Sequence, residues 1–173
     1  MNTYIIVPNQ SLGELKLGMQ KSEIDSLFST KKIEEKQISS LTFKGEEKTN
    51  LLFVRYDNSK FTVLYDSSYR AIEICAAIRC FEPGELMLYD MDLLQTRVED
   101  IISSLSKCSS YTYDDEEDED LSTEYTFDSL GISLWRESGF HSKLLTSDDF
   151  LGLSLENQEY EKRFMFFESI ALT

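Results

Sequence analysis

The 173-residue sequence predicts an α+β fold of two related halves, residues 1–84 and 85–173, each a short helix packed on antiparallel strands within one compact unit. Three features lead there. Apolar and polar residues alternate in short runs of strand length. Two other stretches place their apolar residues at helical spacing. The elements also recur in the same order further along the chain, as internal repeats do.

Leu17 and Met19, followed by Ile24, Leu27 and Phe28, predict a short amphipathic helix over Lys21–Ser29, with Gly18 ahead of it. Ser39–Phe43, Leu51–Tyr56 and Phe61–Tyr65 read as strands separated by the turn-rich KGEEKTN and DNSK. Ala71–Cys80 is dense enough in apolar residues for strand or helix. The alternation of Ile72, Ile74 and Ala76 with Glu73 and Cys75 favours strand. Pro83-Gly84 marks a turn or linker. A second helix is expected from Leu93 to Ser106, with Leu94, Val98, Ile101, Ile102 and Leu105 on one stripe. Thr123–Phe127, Gly131–Arg136 and Phe164–Leu172 then read as strands. Ser22–Phe28 aligns with Thr96–Ile102 at an offset of 74, and Val63–Asp66 with Ser133–Arg136 at an offset of 70. Each half thus reads as a helix with an N-cap hydroxyl, a polar stretch and a set of strands.

Charge is the strongest compositional signal. There are 32 acidic residues against 17 basic ones, a formal net charge of −15. Residues 1–84 are balanced, with 11 of each sign, whereas residues 85–128 hold 14 acids and 2 bases. That balance argues against nucleic acid or an anionic membrane as partner, because neutralising phosphate needs clustered Lys and Arg. It suits a basic protein. Enzymatic chemistry finds little to work with. The single imidazole is His141, no nucleophile elbow or phosphate-cradling glycine loop occurs, and the Glu34-Glu35 and Glu46-Glu47 pairs are expected in lysine-rich, solvated loops. Cys75, Cys80 and Cys108 are odd in number and lack metal-ligand spacing, so free thiols in a reducing cytosol are expected, with no metal and no cofactor. The apolar run Tyr4–Val7 is too short for a signal peptide or a membrane span, which points to a cytoplasmic protein.

The outstanding motif is the acidic stretch within residues 111–124, YTYDDEEDEDLSTE. Its adjacent carboxylates repel one another and cannot be buried, so an exposed loop is expected. Such a loop either steers a basic partner or only aids solubility; the spacing of a calcium loop is absent. Tyr56, Tyr65, Tyr69, Trp135 and Phe140, beside Arg55, Arg70 and Arg136, have the composition of interface anchors and equally of a core. Trp135 stands out, because alternation from Ile132 and Leu134 turns it to the opposite face. The candidate partner-binding residues are therefore Asp114, Asp115, Glu116, Glu117, Asp118 and Trp135.

The segment Leu15-Lys16-Leu17-Gly18-Met19-Gln20-Lys21-Ser22-Glu23-Ile24 resembles the Leu-Gly-Met opening of small bacterial α+β proteins, in which a Gly-Met turn leads into a helix. Leu130-Gly131-Ile132-Ser133-Leu134-Trp135-Arg136 and the closing Phe166-Phe167-Glu168-Ser169-Ile170-Ala171 resemble the ending of immunity proteins from bacterial polymorphic-toxin and contact-dependent-inhibition loci. Tandem helix-plus-sheet halves are also similar, in order of elements, to the β-lactamase-inhibitor-protein architecture. These three segments cover 23 of the 173 residues. Tyr89-Asp90-Met91 departs from the resemblance where a second Leu-Gly-Met would stand. It implies a non-catalytic cytosolic inhibitor that binds one cognate toxin domain, such as a nuclease. The alternative is a housekeeping or regulatory protein-binding module with an unrelated partner.

Overall fold

The computed structural model describes residues 3–29, 31–114 and 118–173. The chain runs through β1 (Tyr4–Val7), β2 (Ser11–Leu12), β3 (Leu15–Lys16), α1 (Lys21–Leu27), β4 (Lys32–Phe43), β5 (Glu46–Tyr56), β6 (Phe61–Tyr65) and β7 (Ala71–Ala77). It continues through β8 (Leu86–Leu88), β9 (Met91–Asp92), α2 (Val98–Leu105), β10 (Thr112–Tyr113), β11 (Glu124–Phe127), β12 (Ile132–Trp135), α3 (Asp148–Leu151), α4 (Leu155–Lys162) and β13 (Ser169–Leu172). The class is α+β. One sheet has eight strands in the order β10-β11-β12-β13-β7-β6-β5-β4, antiparallel throughout. A smaller sheet, β3-β2-β1-β8-β9, pairs β1 with β8 in parallel.

Strand alternation builds the core. Val54, Tyr56, Phe61, Val63, Ile74, Ala76, Ile170, Leu172, Ile132, Leu134, Tyr125 and Phe127 are buried in one cluster with Ile24 of α1, Ile6 and Leu88 of the small sheet, and Val98, Ile101 and Leu105 of α2. Each such aliphatic side chain contributes roughly 1.5–3 kcal/mol by leaving water. The cluster takes residues from both halves of the chain. On the opposite face of the large sheet many residues are only partly buried. Registers align Arg55, Thr62, Cys75, Ala171, Ser133 and Thr126 in one row across it.

The hairpins β5–β6 and β11–β12 close in matching register, Tyr56 with Phe61 and Phe127 with Ile132, so the second four-residue turn falls 71 positions after the first. The turns themselves differ: Asp57, Asn58 and Ser59 have positive φ, whereas Asp128–Leu130 form a 3₁₀ turn before Gly131. At that spacing Val54, Tyr56, Phe61, Val63 and Tyr65 correspond to Tyr125, Phe127, Ile132, Leu134 and Arg136, and all ten are buried.

Several expected bounds shift. The first helix ends at Leu27, and the second begins at Val98. Asp92 causes the latter change, because its carboxylate accepts from the Leu94 N–H at 3.0 Å and its carbonyl from the Thr96 hydroxyl at 2.7 Å, closing a turn before the helix. The helix starts, Lys21 and Val98, lie 77 apart, so the alignment at 74 does not hold. Neither has an N-cap hydroxyl: the caps are Gln20 and Arg97, and Glu23 accepts from the Gln20 N–H at 2.9 Å. KGEEKTN is mostly strand, its turn reduced to Lys44-Gly45 at positive φ. Glu34-Glu35 and Glu46-Glu47 accordingly lie on β4 and β5, exposed. Ala71–Cys80 is strand only to Ala77 and then a 3₁₀ turn, Ile78–Cys80. The last expected strand shortens to Ser169–Leu172, since a 3₁₀ turn over Arg163–Met165 carries Phe164 and Met165 into a second cluster with Phe140 and Phe150.

Under the first hairpin lies a buried polar network. The Tyr56 hydroxyl donates to Asp25 at 2.8 Å and sits 2.9 Å from the Tyr65 hydroxyl, while Lys21 pairs with Asp25 at 2.6 Å. Burial alone would raise the Asp25 carboxyl, but the hydrogen bonds from Lys21 and Tyr56 outweigh it and hold the group below its ordinary value. A carboxylate depressed in the folded state stabilises above its unfolded pKa of about 4, and that contribution fades as pH falls through the folded value. Asp25→Asn is therefore expected to flatten the acid limb of the stability profile below about pH 4, read by urea unfolding across pH. An unchanged acid limb contradicts the assignment.

Candidate functional site

The acidic stretch leaves the sheet edge at the end of β10 and returns into β11. Ser122, fully buried, secures its two ends: its hydroxyl accepts from the Asp114 N–H at 3.1 Å and donates to the Glu124 carbonyl at 2.9 Å. Asp118 caps the 3₁₀ turn Glu119–Leu121, accepting from the Asp120 N–H at 3.2 Å. Lys143 pairs with Asp120, which holds the Asp120 carboxyl below its usual range and raises the lysine. Asp115, Glu116 and Glu117 lie outside the described residues.

Arg136 anchors this arrangement. Sequence composition groups it with interface arginines, yet it is 0% exposed. Its Nε donates to the Ser122 carbonyl at 3.0 Å, Nη2 to Asp120 at 3.0 Å, and Nη1 to Phe140 at 2.6 Å and Phe164 at 2.8 Å. One guanidinium thus ties the acidic stretch to the helical excursion between β12 and β13. Burial lowers its pKa, opposed by the neighbouring Tyr125, Glu99 and Asp120. Gly139 completes the seam, because a Cβ there would stand 1.7 Å from the Leu121 carbonyl oxygen. The signal for Arg136 was present in the alternation of Ile132, Leu134 and Arg136 toward the core.

Two concavities flank the acidic stretch. On the open face, Thr112, Tyr113, Asp114, Glu124 and Thr126 line a groove at the sheet edge. Trp135 adjoins it, directly across from Glu124 in the strand register and 43% exposed, while Leu134 beside it is buried. The structure thus brings Trp135 and Asp114 to one edge. Tyr56, Tyr65 and Phe140 are core, whereas Tyr69 is exposed far from this edge in the β6–β7 connection.

On the helix side, a cavity of about 200 Å³ is lined by Val98, Glu99, Ile102, Ser103 and Ser106 of α2 together with Tyr111, Glu119, Asp120, Tyr125 and His141. The α2 members follow helical spacing. Tyr111 donates to the Glu119 carboxylate, which pushes its phenol up to about 12, and Tyr125 donates to the Glu119 carbonyl. His141 accepts from the Lys143 N–H at 3.0 Å through Nδ1, and its Nε2 lies 4.0 Å from Asp120. Sequence reasoning passed over Glu99, since an acid in a first helical turn is ordinary. Among the described residues, no group of three or more metal-ligating side chains forms, and no helix is long and apolar enough to cross a membrane.

No family model, curated protein or solved structure matches the chain.

Proposed function

We propose that this protein is a non-catalytic inhibitor that occludes a basic protein partner, and that the partner is a bacterial toxin domain, such as a nuclease, making this a cytoplasmic immunity protein. One observation carries the reading: Asp114 and Glu124 line a groove at one edge of the large sheet beside the exposed Trp135, and residues 85–128, which lead through that edge, hold 14 acids and 2 bases. Charge of that density accelerates encounter with a basic surface, and an aromatic anchor slows departure. The two halves derive in this account from one helix-plus-strands unit, a view supported by the matching hairpins.

A different surface favours the alternative of a regulatory module. Leu151, Leu153, Leu155 and Tyr160 are exposed on the excursion carrying α3 and α4, and they suit an apolar partner instead. Sizing-column analysis of the purified chain with the basic toxin domain encoded beside it separates the two. The inhibitor reading expects a stable complex; two separate peaks from folded proteins overturn it. Within that complex, Trp135→Ala is expected to raise the dissociation rate about 10- to 100-fold while leaving unfolding free energy within about 0.5 kcal/mol. Unchanged dissociation would remove Trp135 from the interface.

A further inference from the structure

A groove of about 330 Å³ opens on the excursion between β12 and β13, where Phe140, Leu144, Phe150 and Leu153 meet Asp149 and Glu161. It shares no lining residue with either concavity beside the acidic stretch. Its floor belongs to the second apolar cluster, in which Phe140 and Phe150 are buried with Phe164 and Met165 and Leu144 packs against them. Leu153 is 37% exposed at the wall, and its neighbours in sequence Leu151 and Leu155 are 59% and 80% exposed. Large apolar side chains left in water this close together mark an interaction surface.

Charge around the groove is unbalanced. The lysines and the arginine of residues 137–163 are already paired, Lys143 with Asp120, Lys162 with Glu159 and Arg163 with Glu137. Asp148, Asp149, Glu156 and Glu161 form no ion pair among the described residues. Helix dipoles suit Asp148, Asp149 and Glu156, which lie in the first turns of α3 and α4. The dipole disfavours Glu161, a half-buried acid in the last turn of α4. A cation from outside the chain would balance it.

An apolar floor with an acidic rim fits aliphatic side chains flanked by Lys or Arg. A second copy of this chain, with its net charge of −15, would bring like charge to that rim. An anionic lipid surface would meet the same repulsion. We propose that this groove docks a basic amphipathic helix of a partner protein, its aliphatic face against Phe140, Phe150 and Leu153 and its cations against Asp149 and Glu161. The groove carries this inference by itself, whether or not the chain is an inhibitor.

The test is a titration of the full chain with a synthetic amphipathic peptide of leucine and lysine, followed by amide NMR shifts. Saturable shifts within residues 139–161 are expected, with binding about tenfold weaker when alanine replaces the leucines of the peptide. Leu153→Ser, at an exposed position on the wall, should weaken binding as well. Asp149→Lys combined with Glu161→Lys should weaken it about tenfold and should confer binding of a peptide with glutamate in place of lysine. Loss of folding would not produce that exchange of preference. Shifts confined to residues 111–126, where a polycation meets the acidic stretch, overturn the proposal, as does an unchanged preference in the folded double variant. Sedimentation of the chain alone supplies a further arm: self-association abolished by Leu153→Ser would give the groove to a second copy and overturn the proposal. Peptide binding at residues 139–161 with no toxin complex would retain the groove's occupant and reject the inhibitor reading. A toxin complex with no peptide binding would do the reverse.

Discussion

Arg136→Met is expected to lower the unfolding free energy by about 3–5 kcal/mol, the scale of removing one member of a buried charged network. Methionine has roughly the length to fill the space but no donor. The carbonyls of Asp120, Ser122, Phe140 and Phe164 would all lose their guanidinium partner at a fully buried position. Glu99 would lose the favourable charge of Arg136 as well. Arg136→Lys should recover only part of the loss, since one ammonium cannot serve carbonyls spread along three directions. Urea unfolding measures both, and a loss below about 1 kcal/mol for the methionine variant contradicts the anchoring role. Because the same guanidinium joins the Asp120 and Ser122 carbonyls to the excursion, any residual folded protein should also show proteolytic cleavage within residues 118–122 that the parent resists.

Replacing the carboxylates from Asp114 to Glu119 with Ser, Asn and Gln, with Asp120 kept for its pair with Lys143, should slow association with the partner by about 10- to 100-fold at low salt. The dependence of the association rate on ionic strength should flatten at the same time, because screening has less charge to act upon. Dissociation should change less than association, since exposed charge acts mainly on the approach. Stopped-flow association at several salt concentrations reads both quantities. An unchanged rate with an unchanged salt slope would remove the steering role and leave the acidic stretch as a solubility device.

The fold class and most strands were legible because period-two alternation survives wherever one face of a strand is buried, as in Phe61–Tyr65 and Ile132–Trp135. The same pattern located Trp135 on the far face. Elements without such a contrast stayed hidden. β2, β3, β8 and β9 are two or three residues long, too short for any period to show. α4 buries none of its residues, so no apolar stripe marks it, and its start was marked only by Ser154, whose hydroxyl accepts from the Asn157 N–H at 3.2 Å. β4 runs along the sheet edge with both faces largely exposed, so the charged Lys32–Lys36 stretch looked like loop.

The site was legible in charge and obscure in geometry. Composition marked the acidic stretch and nothing more. Alternation turned Arg136 inward, but the carbonyl cage that holds it is drawn from three segments, which no local pattern encodes. Glu99 became notable only once α2, the 3₁₀ turn at Glu119–Leu121 and His141 were seen around one cavity.

The central claim is that this chain neutralises a basic toxin domain by binding it, and co-expression in a growth assay addresses that most directly. The active toxin domain encoded beside this chain would be induced alone, with the parent chain, and with the chain lacking its carboxylates from Asp114 to Glu119. Rescue by the parent, and weaker rescue by the variant at equal protein levels, is the expected result. Continued growth arrest with both proteins folded and abundant would contradict the account.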